Sequence, residues 1–305
     1  MRKHFSEYIE NNLADREDFI FITGDLGYAA LEKVALKMGG RFINAGVAEQ
    51  NMIGMAAGMA SQGYQVICYS IAPFVVYRCL EQMRNDVCFH NLPVYVVGNG
   101  GGYGYGIMGS SHHAIEDIAT LSGLPNIECF VPAFTDDLFT CLDAITTRRR
   151  PAYLRLGLGK PMPAGMYKTD YGAAMPASEK AKLTVVVQAP VANNVIAAIG
   201  ADGYQKQIDL FVINRMPLKM LSEAVKESVA ATGRVLTVEE HVSTGGLGAA
   251  LALLILEAAL PVGQFKSLRA EGYPDALYGS QAFHQQQSGL DEANITSVIA
   301  RLLSF

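Results

Sequence analysis

Short apolar runs alternate with amphipathic or small-residue stretches through the first half of the chain. Strands buried in a parallel sheet show nearly continuous apolar runs, and helices that cover such a sheet show one apolar face. The predicted strands are 19–23, 43–44, 65–70, 93–98, 126–131 and 152–156. The predicted helices are 3–13, 48–62, 77–88, 115–121 and 136–147. This alternation predicts an α/β fold with a mainly parallel sheet.

The second half of the chain shows the same alternation of apolar runs and amphipathic stretches, after a segment of different composition. Residues 161–181 carry Pro161, Pro163, Gly165 and Pro176 and are predicted to form an irregular linker. Further strands are predicted at 183–187, 195–199, 208–213 and 234–238, and a helix at 249–259 follows the glycine-rich stretch 243–248. We therefore expect two domains, 1–160 and 182–305, each a mainly parallel sheet with helices on both faces.

Charge and composition exclude several classes of function. The 305 residues carry a net charge of -5, which disfavours a phosphate-backbone footprint and hence nucleic acid as a partner. The longest apolar run, 247–260, is interrupted by Glu257 and is too short to span a bilayer. The five cysteines show no metal-ligand spacing, so we expect no metal site and free thiols in a reducing compartment. Without a secretory signal, a soluble cytoplasmic protein is expected.

One carboxylate stands out in this pattern. Glu49 lies in GVAEQN, between a strand end and a helix rich in glycine, alanine and methionine. An acidic residue in the first turn of a helix is favoured by the helix dipole, so a structural role at the helix start is one interpretation. The sequence around Glu49 offers a chemical alternative.

Four stretches occur in an order that resembles a known family. The segment INAGVAEQNMIGMAAGMASQGYQVICYSIAPF, the glycine loop that ends at GSSHH, and residues 116–133 resemble the pyrimidine-binding domain of transketolases and of 1-deoxyxylulose-5-phosphate synthases. The motif TVEEHVSTGGLG resembles the C-terminal domain of these enzymes. The resemblance covers nearly the whole chain. It implies a thiamine diphosphate-binding fold followed by a transketolase C-terminal-like domain.

The resemblance implies a set of cofactor contacts. Glu49 would hydrogen-bond the pyrimidine of thiamine diphosphate and activate the cofactor. Tyr69 and Phe74 are candidates to stack on the pyrimidine, although Phe74 could equally be a core residue. Asp25, in TGDLG, matches an aspartate near the cofactor, with a turn-forming role as the alternative.

The resemblance also implies substrate contacts. His112 would face the reacting carbons of the substrate as a catalytic and substrate-binding residue, with His113 in support. A histidine pair after a glycine loop could otherwise mark a helix start. Arg155 and Arg2 would contact the substrate phosphate, although Arg2 could be a free terminus. Met108 and Gly100 depart from the family pattern, which leaves the donor and acceptor sugars open.

A cofactor-binding segment of the family is missing from these residues. The family holds the diphosphate through Mg²⁺ in a GDG…N segment of a separate domain, and no GDG occurs in the 305 residues. We therefore expect half of a split enzyme, completed by a partner chain of comparable size that binds most of the Mg²⁺ and diphosphate, in an α2β2 assembly. In the second domain, Glu239, Glu240 and His241 are expected to be structural, with an anion or partner contact as the alternative. No function is predicted for His284.

The sequence leaves four functions open. The first is ketol transfer between sugar phosphates, run jointly with the partner. The second is acyloin synthesis from pyruvate, as in the deoxyxylulose phosphate synthases, and the third is the β subunit of a 2-oxo-acid dehydrogenase. The fourth is a non-catalytic scaffold, against which the presence of Glu49 in its motif argues.

Overall fold

Seven strands form the first sheet of the computed structural model, which describes residues 1–201, 203–273 and 276–304. Six of them come from the first half of the chain: β1 (Phe19–Thr23), β2 (Phe42–Asn44), β3 (Gln65–Ile71), β4 (Val94–Asn99), β5 (Glu128–Phe130) and β6 (Ala152–Leu156). They run parallel in the order β5-β6-β4-β3-β1-β2. The predicted fold class of this half is confirmed.

Helices cover both faces of this sheet. They are α1 (Arg2–Asn12), α2 (Glu32–Met38), α3 (Glu49–Ser61), α4 (Ala72–Tyr77), α5 (Leu80–Gln82), α6 (Asp117–Ser122) and α7 (Thr135–Arg148). The helix predicted at 77–88 is wrong in its start and in its regularity. The helical region begins earlier, at Ala72, with Pro73 in the first turn of α4, and a π-helical turn occupies Met83–Cys88. Two buried clusters of apolar side chains lie on opposite faces of the sheet.

The second sheet contains six strands. They are β7 (Tyr167–Thr169), β8 (Gly172–Met175), β9 (Leu183–Gln188), β10 (Ile208–Ile213), β12 (Arg234–Val238) and β13 (Gln264–Leu268). The order is β13-β12-β9-β10-β8-β7, parallel from β13 to β10 and antiparallel at β8 and β7. Its helices are α8 (Ala192–Ala201), α9 (Glu223–Thr232), α10 (Leu247–Glu257), α11 (Gln281–Gln287) and α12 (Glu292–Leu303).

Two predictions for this half differ from the structure. The strand predicted at 195–199 is wrong, since these residues belong to α8. A short apolar run does not separate a strand from a buried helix, and the buried positions Val191, Val195, Ala198 and Ile199 follow a helical spacing. The segment 161–181, predicted as an irregular linker, contains β7 and β8, which join the second sheet. The boundary at 182 remains a prediction, and these strands favour an earlier one.

The two sheets are connected by more than the chain between them. Strand β11 (Arg215–Met216) follows β10 of the second sheet and pairs antiparallel with β5 at the edge of the first sheet. A backbone bond from the Val131 N–H to the Asn214 carbonyl, 2.8 Å long, extends this contact. Among the described residues, no helix is long and apolar enough to cross a membrane.

Candidate active site

Glu49 begins α3 at the carboxyl edge of the first sheet, and its side chain is only 3% exposed. The Ser70 hydroxyl donates to Glu49 Oε1 over 3.2 Å, and the Arg78 guanidinium donates to Oε2 over 3.0 Å. The carboxylate thus points toward the ends of the strands and not toward the backbone N–H groups of its own helix. Ligands of parallel α/β sheets bind at this edge. The geometry favours the chemical interpretation of Glu49 over the structural one.

A cation and two rings extend the site from Glu49. The Arg78 guanidinium lies 4.0 Å from the centre of the Phe74 ring, in a cation–π contact. The His112 ring meets Phe74 edge-on, with 5.0 Å between ring centres. Phe74 and His112 are half-buried, and the Arg78 side chain is 47% exposed. Arg78, Phe74 and His112 therefore form one continuous, accessible surface, and the buried Glu49 carboxylate lies directly behind Arg78.

Tyr69 is not part of that surface. It precedes Ser70 on β3, and successive side chains of a strand point to opposite faces of the sheet. Because Ser70 faces Glu49, Tyr69 faces away and is buried against Phe5 and Phe21, with 5.9 Å between the Tyr69 and Phe5 ring centres. This placement contradicts a stacking role for Tyr69 beside Glu49, and Phe74 alone of the two predicted rings lies near the carboxylate.

Asp25 lies in an exposed turn next to the site. Its φ of 57° is left-handed, and its carboxylate accepts a 2.9 Å bond from the Asn44 amide. These features are those of a turn-forming residue. The turn nevertheless borders the site, since a Cβ on the adjacent Gly24 would lie 3.3 Å from Ser70 Oγ and 3.7 Å from Glu49 Cγ.

The two neighbouring histidines point into different environments. His112 is half-buried in the site, and its Nδ1 lies 3.0 Å from the Ser111 hydroxyl. His113 is buried with Tyr103, Tyr273 and His284, the last at a ring distance of 4.6 Å. Burial lowers the pKa of His113 to about 4, so this imidazole is neutral at neutral pH. His113 packs between the domains, which contradicts a direct substrate contact.

Arg155 is enclosed by its own chain. The side chain is 2% exposed and forms an ion pair with the fully buried Asp117, with 3.2 Å between Nε and Oδ2. Its Nη2 donates to the carbonyls of Ala114 and Glu240. This placement contradicts the predicted phosphate contact, because the guanidinium is turned toward internal partners. Arg2, at the start of α1, donates to the Tyr28 carbonyl at the surface and stays accessible.

Tyr105, which was absent from the sequence-based site, lies near His112, with 6.4 Å between the ring centres. A Cβ on Gly100, where φ is +74°, would overlap the Tyr105 ring, so that ring fills the space beside Gly100. The Asn99 amide donates a 2.6 Å bond to the Tyr105 hydroxyl. Met108, an apolar residue of the same segment, is 50% exposed.

The entry to α10 is already occupied by a side chain of the protein. Glu239 accepts bonds from the Leu247 and Gly248 N–H groups over 2.6 and 2.8 Å. Burial raises the pKa of this carboxyl to about 7. Because Glu239 satisfies the helix N-terminus, an anion site there is disfavoured and the structural role is supported. Within the described ranges, no group of three or more His, Cys, Asp or Glu side chains is placed to hold a metal ion.

Buried His113 should make the fold sensitive to acid. Its pKa in the fold, about 4, lies below the ordinary value of 6.5, so its stabilising contribution is present above pH 6.5 and is lost as the pH falls through 4. Between pH 7 and pH 4 the wild type should lose about 3 kcal/mol more unfolding free energy than His113→Phe. Chemical denaturation at several pH values measures this, with exposed His90→Gln as the control. Equal losses in wild type and His113→Phe would contradict the assignment.

The buried Arg155–Asp117 pair should matter for stability. Arg155→Met leaves Asp117 as an uncompensated buried charge and should lower the unfolding free energy by about 3–5 kcal/mol. Lys226→Met, which breaks the exposed 2.7 Å pair with Glu223, should cost less than about 1 kcal/mol. Urea denaturation compares the two. If the Arg155→Met protein is as stable as the wild type and has a raised KM for a phosphorylated substrate, Arg155 contacts the substrate phosphate, as the sequence predicted.

Comparison with known proteins identifies the family of this chain. The family model for the transketolase pyrimidine binding domain matches residues 1–160, and that for the transketolase C-terminal domain matches residues 172–295. The chain is 30% identical to a subunit of apulose-4-phosphate transketolase from Actinobacillus succinogenes, over 86% of this chain and 85% of that protein. It is 31% identical to 1-deoxy-D-xylulose-5-phosphate synthase 1 of Geobacter metallireducens, over 96% of this chain and 47% of that protein.

A solved structure extends the likeness to the full length. It is described as "Split gene transketolase, inactive beta4 tetramer" and superposes with a TM-score of 0.81 at 25% identity, covering 99% of this chain and 98% of that chain. Sequence and structure agree over both domains, and this chain belongs to the transketolase family, of which it carries the pyrimidine-binding and C-terminal domains.

Proposed function

We propose that this chain is one subunit of a thiamine diphosphate-dependent, transketolase-like enzyme that transfers a two-carbon ketol unit between sugar phosphates. The observation that carries the proposal is the Glu49 carboxylate, which is buried at the carboxyl edge of the first sheet and linked to the face of the Phe74 ring through the Arg78 guanidinium. In this proposal Glu49 and His112 are the catalytic residues of the chain, and Phe74 is its principal cofactor contact.

The residues around Glu49 fit the aminopyrimidine of the cofactor. The Arg78 guanidinium is a planar, N–H-donating group held between the Glu49 carboxylate, at 3.0 Å, and the face of the Phe74 ring, at 4.0 Å. An aminopyrimidine is also planar and nitrogen-rich, and it would use the same hydrogen-bond acceptor and the same ring face. Arg78 is half-exposed and can move aside without disturbing the core.

Each residue then has a defined chemical task. When bound, thiamine diphosphate supplies the nucleophilic carbon that carries the two-carbon unit, a chemistry that side chains lack. Glu49 Oε2 would accept, hold and return the proton at the pyrimidine ring nitrogen, screened from water by its burial. Phe74 would orient the ring by stacking on it.

The substrate would lie on the His112 side of the site. A half-exposed imidazole can donate a hydrogen bond to a sugar hydroxyl or accept one from it. Tyr105 borders the same space. Arg2 keeps the role of a phosphate contact in this proposal, whereas Arg155 and His113 are not assigned one. Exposed Met108 would present an apolar surface to the sugar, which favours a substrate with fewer hydroxyls at that point.

A partner chain would complete the enzyme. The relative from Actinobacillus succinogenes is named as one subunit of a transketolase, and the similar solved structure is described as an inactive tetramer of β chains from a split gene. These names support a diphosphate-binding partner that holds Mg²⁺, in an α2β2 assembly. All five cysteines are free and buried, which supports a cytoplasmic location.

Acyloin synthesis from pyruvate is the second candidate function. It is favoured by the 31% identity to a 1-deoxy-D-xylulose-5-phosphate synthase over 96% of this chain. The two functions differ in their donor, a ketose phosphate in one and pyruvate in the other. An assay that offers each donor with the same aldehyde acceptor separates them.

Glu49→Gln should abolish most of the activity of the assembled enzyme. The amide cannot exchange a proton with the pyrimidine, so kcat should fall by about 100- to 10,000-fold, the usual range for a lost acid–base group. The chain is purified together with the product of a neighbouring reading frame that contains GDG…N, and is assayed with thiamine diphosphate and Mg²⁺. Glu81→Gln, on the exposed side of α5, is the matched control and should keep wild-type activity.

Two results would contradict the proposal. Full activity in Glu49→Gln would remove Glu49 from the mechanism. Appreciable transferase activity of the chain alone, without a partner, would show that the site is not shared.

The cofactor ring should depend on Phe74 and not on Tyr69. Phe74→Leu removes the stacking face and should raise the Kd of thiamine diphosphate about tenfold, equal to about 1.4 kcal/mol. Tyr69→Leu should lower thermal stability, because Tyr69 is a core residue, but leave the Kd of the folded assembly unchanged. Calorimetric titration of both assemblies measures this, and the opposite ranking would return Tyr69 to the site.

A further inference from the structure

The segment 100–113, which carries His112, packs against the second domain through part of its length. Its neck is closed by two backbone bonds between Gly102 and Ala114, at 2.8 and 2.9 Å. Beyond this neck the segment contacts the second domain: the Tyr103 hydroxyl lies 3.1 Å from both the Gly272 carbonyl and the Ser288 hydroxyl. The position of His112 is therefore set by groups that lie far from it in the sequence.

A buried carboxylate of the second domain holds the start of this segment. Glu240 follows β12 and is fully buried, and its Oε1 accepts from the Tyr103 N–H over 2.6 Å. Two amides of α11 complete its coordination: Gln281 donates to Oε1 over 2.9 Å and Gln285 to Oε2 over 2.5 Å. Hydrogen bonds to a charged acceptor are about twice as strong as neutral ones, so this contact is a firm one.

The glycines of the segment allow the second domain to approach. A Cβ on Gly102, whose φ is +64°, would overlap Glu240 Oε1. A Cβ on Gly106 would lie 2.6 Å from the Gly279 carbonyl oxygen. The glycines at these two positions therefore serve the fit between the domains.

The same segment delivers the side chains that border the substrate space. Tyr105 lies two residues after the N–H that Glu240 binds, and its ring centre is 6.4 Å from that of His112. His112 in turn lies at the edge of Phe74. A shift of the segment start would move both rings relative to Phe74 and Glu49, which are held by α3 and α4 instead.

We propose that Glu240 is a positioning residue for the transfer reaction: through the Tyr103 N–H it fixes the 100–113 segment and so aligns His112 with the cofactor. This role rests on the proposed function and deepens it, since it gives the second domain a part in catalysis. Glu240 itself does not reach the reacting atoms. Its removal should therefore affect turnover and leave cofactor binding intact.

The test compares two adjacent buried glutamates in the reconstituted enzyme. Glu240→Ala should lower kcat about 100-fold, the effect of misplacing a catalytic group by about 1 Å, without changing the Kd of thiamine diphosphate. Glu240→Gln keeps an acceptor for the Tyr103 N–H and should recover kcat to within about fivefold of wild type. Glu239→Ala, which removes only the α10 cap, should lose stability but keep kcat within about threefold of wild type.

Hydrogen exchange and a second variant guard against misfolding. Exchange at the Tyr103 amide should accelerate in Glu240→Ala and stay slow in Glu239→Ala. If Glu240→Ala does not fold, Gly102→Ala perturbs the same contact from the loop side and should show the same loss of kcat at constant cofactor Kd. Wild-type kcat in a folded Glu240→Ala or Gly102→Ala enzyme would overturn the proposal, as would equal kcat losses in the Glu239 and Glu240 variants.

Failure of the proposed function is visible separately. It would appear as a wild-type assembly without transferase activity or as an active Glu49→Gln enzyme. The exchange rate of the Tyr103 amide would still report whether Glu240 holds the segment, because that measurement needs no turnover.

Discussion

A buried carboxylate must be satisfied by hydrogen bonds or by charge, and Glu49 meets this constraint with one hydroxyl and one cation. Ser70, at the end of β3, provides a fixed partner from within the sheet. Arg78 provides a replaceable one, because its guanidinium is half-exposed and rests on the Phe74 ring. The site is thus rigid on the protein side and adaptable on the side where a planar cofactor ring would enter.

The parallel sheet explains why these groups meet. Glu49 follows β2, and both Ser70 and Arg78 come from β3 and the helices after it, so all three lie at one carboxyl edge. The second domain adds a further constraint from the far side of the 100–113 segment. Two hydrogen bonds to Glu240 join the domains: the Tyr103 N–H donates to its buried carboxylate, and Arg155 Nη2 donates to its backbone carbonyl.

Several strands could be predicted from their apolar runs, and β1 and β6 begin and end at the predicted residues. The helical state of residues 195–199 could not be predicted, because a run of five apolar residues is compatible with a strand and with the buried face of a helix. Similarly, β7 and β8 are short and partly exposed, so their sequence resembles a linker until the partner strand β10 is known.

The site residues were likewise predictable only in part. Glu49, Phe74 and His112 were identified from motif order, and the structure brings them together around Arg78 and Phe74. Other candidates are excluded from the site because they are buried elsewhere, and burial depends on the tertiary structure. Tyr69 points from the sheet into the core, and Arg155 forms an ion pair with the buried Asp117. Alternation along β3 could have warned against Tyr69, since Ser70 and Tyr69 cannot face the same side.

The most direct test of the central claim is a crystal structure of the chain assembled with its diphosphate-binding partner, thiamine diphosphate and Mg²⁺. The account predicts a Glu49 carboxylate oxygen within hydrogen-bond distance, about 2.7–3.2 Å, of a pyrimidine ring nitrogen. It also predicts that the ring lies on the face of Phe74 and that Arg78 has moved out of the space between them. A cofactor bound elsewhere, with the Glu49–Arg78 pair intact, would contradict it.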